Sequence, residues 1–303
     1  MKKLIPLFIC FIFINSLYSK QLYVVTTTED LKSITEFIGK QKVKVESLSY
    51  GWQDPHSVVA LPSMIVKLSK ADMLVKIGLD LDMWVDGLIL ASRNKNITYG
   101  AVGYVDASVG ITLLEVPTGK IDASMGDIHI YGNPHYCLDP ENGKIIAKNI
   151  LDGLCRLSPE DKEYFEKNYK EFVDELTKKI GYWEQRLKKY EWKNFVSYHK
   201  TFSYFAKRFN INIVATVEPK PGIPPSSSYL KTLVETIKKE NVLCILHENF
   251  YPLKTSQSVA KHTNIKVVVL PTSVGGVKEV KDYFSLFDYI VTKIDETNEN
   301  KNN

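Results

Sequence analysis

Apolar residues along this chain alternate between short continuous runs and a spacing of three and four, the pattern that separates buried strands from amphipathic helices. Leu22 to Thr26 is the first run, followed past Thr27 and Thr28 by a helical stretch through Ile38, and Val43 to Leu48 reads as a second strand. Pro62 to Leu68 is helical, Ala71 to Gly78 strand-like, and Gly143 to Leu154 sets Ile146, Ile150 and Leu154 along one side of a helix. The rhythm restarts with a strand at Asn194 to Tyr198, a helix at Lys200 to Phe209 and a strand at Ile211 to Val217. Beyond the proline-rich loop Glu218 to Ser226 come a helix at Tyr229 to Glu240, a strand at Val242 to His247, a helix at Lys254 to Thr263 and a strand at Lys266 to Leu270. A Gly275-Gly276 turn then leads into a helix over 279–291. Such alternation predicts parallel sheets covered by helices on both faces.

One segment breaks the rhythm. Ser158-Pro-Glu-Asp161 carries a cap residue, a proline at the first helical position and acids in the first turn. Behind it Phe165, Tyr169, Phe172, Leu176, Ile180, Trp183, Leu187 and Tyr190 form one apolar stripe. The stripe predicts a helix of about 30 residues, roughly 45 Å long. A single long stripe with α/β rhythm on either side reads as a connector between two lobes. The expected organisation is an N-terminal α/β lobe over 20–157, the long helix over 158–192, a C-terminal α/β lobe over 193–294 and a disordered polar tail over 295–303.

The first residues change the compartment. Lys2 and Lys3, an apolar stretch from Leu4 to Ile14 and the small polar exit Ser16 to Ser19 have the layout of a secretory signal peptide over 1–19. Export to the periplasm is therefore expected. Cys10 lies inside the apolar run rather than at its end, so lipid attachment there is not expected. Loss of Lys2 and Lys3 lowers the formal net charge of +4 by two, and no Lys/Arg block exists to bind nucleic acid. Cys137, Cys155 and Cys244 remain, an odd number without a CxxC spacing, and read as small buried residues with no required disulfide.

Candidate chemistry rests on histidine. His56, His135, His199 and His247 each sit next to a strand end or in a loop, and ligand sites of open α/β sheets lie beyond the carboxyl ends of strands. Imidazole is the commonest metal ligand and suits zinc. Asp54-Pro-His56 and Asn133-Pro-His135 both place a histidine after a proline, whose fixed φ limits how far the neighbouring side chain wanders.

Several stretches together carry a resemblance: Val24-Val-Thr-Thr-Thr28, Asp54-Pro-His56, Gly126-Asp-Ile-His-Ile-Tyr-Gly-Asn-Pro-His-Tyr-Cys-Leu-Asp-Pro140, Tyr198-His-Lys-Thr-Phe-Ser-Tyr-Phe-Ala-Lys-Arg208, Glu218-Pro-Lys-Pro-Gly-Ile-Pro-Pro-Ser226 and Leu270-Pro-Thr-Ser-Val-Gly-Gly276. In this order they resemble the zinc and manganese solute-binding proteins of ABC importers, a cluster that includes zinc-uptake receptors and metal-binding lipoprotein adhesins. The resemblance implies a monomeric, non-enzymatic receptor that delivers a metal ion to a membrane permease. It places three ligands on His56, His135 and His199, two ligands in each lobe, and a fourth ligand, usually a carboxylate, after the last strand.

Here the chain departs, because Val267 to Gly276 contains no Asp or Glu. Glu248 is the leading substitute, as a ligand or as a group orienting a ligand histidine from behind; Asp127, His129 and water compete with it. His247 and His262 read as structural or surface residues. Three histidines with at most one carboxylate favour Zn2+ over Mn2+. The rival reading is a zinc hydrolase with an open coordination position, with Glu248 as its base. An adhesin would need an anchor.

Overall fold

A computed structural model describes residues 21–119, 126 and 129–299. The expected leader, Cys10 and Asp127 fall outside the described residues. The chain folds into two sheets, each of four parallel strands. In the first, β1 (Leu22–Thr26) lies between β2 (Val43–Ser47) and β3 (Met73–Lys76), and β4 (Tyr104–Asp106) pairs with β3. In the second, β5 (Asn194–Ser197) lies between β6 (Asn212–Thr216) and β7 (Cys244–Glu248), and β8 (Lys266–Leu270) pairs with β7. The two sheets thus share one strand order. β3 and β7 are buried throughout, as strands covered on both faces must be.

Helices α1 (Glu29–Gly39), α2 (Pro62–Lys70), α3 (Asp86–Ser92) and α4 (Pro140–Leu157) belong to the first lobe. Helices α6 (Ser203–Arg208), α7 (Ser227–Lys239) and α8 (Lys254–Thr263) belong to the second. Between them runs α5, Lys162–Leu187, 26 residues or roughly 39 Å of helix. Its expected first turn is different in kind. Pro159–Asp161 is a 3-10 turn, and the Ser158 hydroxyl donates to Asp161 Oδ2 at 2.9 Å instead of accepting a backbone N–H.

The apolar stripe of α5 is buried at Phe165, Phe172, Leu176, Ile180, Trp183 and Leu187. Phe172 meets Phe37 of α1 and Phe284 of the final helix α9 (Tyr283–Glu299), both with ring centroids 5.3 Å away. Asn168 Nδ2 donates to the Ile38 carbonyl at 2.8 Å, and Trp183 Nε1 donates to Asp288 Oδ1, also at 2.8 Å. The helix therefore joins an element of the first lobe to one that follows the last strand of the second. α9 itself runs past the expected end at 291 to Glu299, so the expected tail is helical from Asp295 to Glu299, while 300–303 fall outside the described residues. Its last turns are held because Ile294 is buried and Asp295 accepts from Arg186 Nε at 2.8 Å.

The lobes also meet directly. Asp30 of α1 accepts from Ser273 Oγ at 2.6 Å and from the Val274 N–H at 2.9 Å. Asp139 Oδ1 accepts from Arg208 Nε at 2.7 Å, and Asn133 Nδ2 donates to the Lys200 carbonyl at 2.8 Å. At Gly51 a methyl group would stand 1.8 Å from the Val274 carbonyl oxygen, so only glycine permits this approach.

Candidate metal centre

All the histidines of interest sit on loops leaving the carboxyl ends of strands. His56 lies after β2, His135 just before the 3-10 turn Tyr136–Leu138, and His199 just after β5. The structure brings the three together: the ring centroids of His56 and His135 are 5.1 Å apart, His56 and His199 5.4 Å, and His135 and His199 5.5 Å. His129 joins them, its centroid 5.2 Å from that of His56. One nitrogen from each of His56, His129 and His135 lies within 4.8 Å of the other two.

The outward nitrogen of three rings faces a carboxylate. His56 Nδ1 donates to Asp54 Oδ1 at 2.7 Å, His199 Nδ1 donates to Glu218 Oε2 at 2.6 Å, and His129 Nδ1 donates to Asp80 Oδ1. An ionised carboxylate only accepts, so each of these Nδ1 atoms carries a proton, and in the neutral ring the lone pair then lies on Nε2. The Nε2 atoms of His56 and His129 stand 3.2 Å apart. At that distance either one of the two nitrogens carries a proton and donates to the other, or both lone pairs face a common cation. Two nitrogens on one tetrahedral zinc, each roughly 2.0–2.1 Å from it, would be about 3.3 Å apart. His135 Nε2 is buried without a hydrogen-bond partner. Burial pushes the His135 ring well below the ordinary histidine range, and the neighbouring rings of His56, His199 and His129 add to the effect, so it is neutral and able to ligate.

The carboxylates are tuned as partners. Burial raises the Asp54 carboxyl, but the hydrogen bonds from His56 outweigh it and leave the group below its ordinary value. Glu218 is fixed from its other oxygen, where Oε1 accepts the Gly222 N–H at 3.0 Å. Beside the rings opens a cavity of about 220 Å³ lined by His129, His135, His199, Lys200, Pro219 and Pro221.

Glu248 is fully buried beneath this cluster, its Oε1 accepting the backbone N–H of His199 at 3.4 Å. The residues whose ligand atoms converge within 4.8 Å are His56, His129 and His135; Glu248 is not among them, and His199 joins the cluster through its ring contacts with His56 and His135. His247 is tied by Nδ1 to Ser256 Oγ at 2.9 Å and by Nε2 to the Tyr251 carbonyl at 3.1 Å; His262 lies exposed on α8 with Nδ1 bonded to the Ser258 carbonyl. The loop after β8, where the resemblance places a carboxylate, is occupied with Asp30. Sequence reasoning did not single out Asp54, Asp80 or Glu218 as ring partners. The rule that selected the histidines, position beyond a strand end, would have selected these acids too.

A family model for the zinc-uptake complex component A, periplasmic, matches residues 24–297. The high-affinity zinc uptake system protein ZnuA of Bacillus subtilis is 30% identical over 265 residues, covering 86% of this chain and 82% of the relative. The manganese ABC transporter substrate-binding lipoprotein PsaA of Streptococcus pneumoniae is 30% identical over 287 residues, covering 91% and 89%. A crystal structure of ZnuA superposes with a TM-score of 0.78 at 25% identity, covering 91% of this chain and 99% of that one. The lipoprotein naming of PsaA stands against the expectation that this chain carries no lipid. Among the described residues no helix is long and apolar enough to cross a membrane. The family match over nearly the whole chain, the shared fold and the convergent histidines agree, and the chain belongs to the zinc-uptake complex component A periplasmic family.

Proposed function

We propose that this chain is the extracytoplasmic receptor of an ABC importer and that it captures Zn2+ between four imidazoles, His56, His129, His135 and His199. The observation that carries the reading is the 3.2 Å approach of the Nε2 atoms of His56 and His129, next to the unpartnered Nε2 of His135. His129 takes the fourth place that Glu248 was expected to fill, and Glu248 supports the site from behind through the backbone of His199. The relatives named for zinc and for manganese are equally similar, at 30% identity, so donor chemistry decides between the metals. Four nitrogen donors suit zinc; manganese prefers oxygen and binds such a set more weakly. Four protein ligands also close the tetrahedron, leaving no open position for the water a hydrolase would activate. The relatives are named as uptake and transport components, which gives the hydrolase reading no support.

The test is competition with a chromophoric chelator on protein stripped of metal. Zinc should bind with one equivalent per chain, and excess manganese should fail to displace it. His129→Ala should weaken zinc binding by more than about 100-fold, beyond the range of supporting groups, whereas Glu248→Gln should stay within or below the 10–100-fold typical of such groups. If Glu248→Gln costs more than His129→Ala, the ligand assignment is wrong.

A further inference from the structure

We infer that Asp80 is the positioning residue that turns His129 into a zinc ligand and thereby makes the site asymmetric, with three imidazoles supplied by the first lobe and one by the second. The inference rests on the zinc-receptor reading above. It starts from backbone strain. Gly78, Leu79 and Asp80 follow β3 with φ of 75°, 50° and 61°, three successive residues in the left-handed region. For Leu79 and Asp80 that conformation is strained and persists only where the surroundings enforce it.

The surroundings do so through Asp82. Its buried carboxylate accepts the N–H groups of Ile77 at 2.7 Å and Gly78 at 3.1 Å, and the Thr27 hydroxyl at 2.7 Å. A side chain at Gly78 would strike Asp106, its Cβ 2.5 Å from Oδ1. The turn so enforced aims Asp80 at one short stretch of chain. Oδ1 accepts from His129 Nδ1 and Oδ2 accepts the Ile130 N–H at 3.1 Å. One carboxylate thus fixes both the ring and the backbone beside it.

Two consequences follow for the ring. The bond to Nδ1 sets the tautomer that leaves Nε2 bare, and it orients that nitrogen toward His56 Nε2. The side chain of His129 is only 14% exposed and that of Asp80 11%, so water competes poorly for the bond. The carboxylate missing after β8 is replaced by a donor from the opposite lobe. His56, His129 and His135 then form a half-site on loops of the first sheet, and His199 alone reaches across.

Asp80→Ala, Asp80→Asn, His129→Ala and the Asp80→Ala/His129→Ala double variant are compared with the parent. Each metal-free protein is first checked by circular dichroism and thermal melting. Zinc affinity is then measured by chelator competition, and the visible spectrum is recorded with Co2+ in place of zinc. The parent should give the intense d–d absorption of a four-coordinate ion. Asp80→Ala should lose about 10–100-fold in zinc affinity and show the weak absorption of a five- or six-coordinate ion, as water replaces the misaimed ring. Asp80→Asn, whose carbonyl can still accept from Nδ1, should recover most of both. The double variant should bind no worse than His129→Ala alone. Parent-like affinity and spectrum in Asp80→Ala, or additive losses in the double variant, overturn the inference. A parent that binds neither Zn2+ nor Co2+ overturns the receptor reading instead. Should Asp80→Ala fail to fold, Asp80→Asn decides: a spectrum like that of His129→Ala, with an unchanged melting temperature, again counts against the hydrogen-bonding role.

Discussion

At the scale of single residues, the same chemical group does opposite work in two places. Asp54, Asp80 and Glu218 are acids paired with histidine rings, whereas buried Asp30 faces, among the described residues, a hydroxyl and a backbone N–H. Burial pushes the Asp30 carboxyl from 3.8 to about 6; Glu29 adds to the rise, and the bonds from Ser273 and Val274 offset only part of it. A raised folded-state value means the folded protein holds the proton more tightly than the unfolded chain. The resulting stability is therefore present below about pH 4 and lost as the pH rises through about 6. A shift of this size corresponds to about 3 kcal/mol. Asp30→Asn should remove that slope: in urea titrations its stability relative to the parent should rise between pH 4 and 6 and then level off. A parallel pH dependence in the two proteins would count against it. What was legible at this scale follows from chemistry that repeats. His56, His135 and His199 stand in recognisable sequence surroundings, while Asp80 acts from a strained turn that no residue spacing announces.

At the scale of elements, long periodic segments were readable and short ones were not. β1, α8 and β8 begin and end where the apolar pattern says, because each is bounded by polar or turn-forming residues. β4 has three residues, one of them buried, too few to display an alternation, and α3 has seven residues, under two turns. Both lie in the stretch that carries Asp80 and His129, which is why the fourth donor was harder to place than the other three. The long helix was visible because its stripe persists for seven turns. Leu176 sits in the middle of that stripe, fully buried. Leu176→Ala should lower stability by about 2–5 kcal/mol, as buried leucine truncations do. A loss below 1 kcal/mol in urea unfolding would mean that the helix is not the packed spine described above.

At the scale of the whole molecule, the lobes are fastened at several separate points: α5, α9, the Asp30 bonds, the Asp139–Arg208 pair and the close approach of Gly51 to Val274. Gly51→Ala forces a methyl group into the Val274 carbonyl and should separate the lobes locally. His199 would then be drawn from the three imidazoles of the first lobe, and zinc affinity should fall by about tenfold or more in chelator competition, with the Co2+ spectrum losing intensity. Unchanged affinity would show that the contact yields without moving His199. The fastening has a wider meaning for communication with the permease. Lobes fastened at so many points are expected to load metal with almost no change of outline to announce it. The radius of gyration measured by X-ray scattering should therefore be the same with and without zinc. Hydrogen exchange should instead slow on loading at the rim segments around His56 and Ile130. An importer served by such a receptor reads the texture of a few loops and not a change of shape.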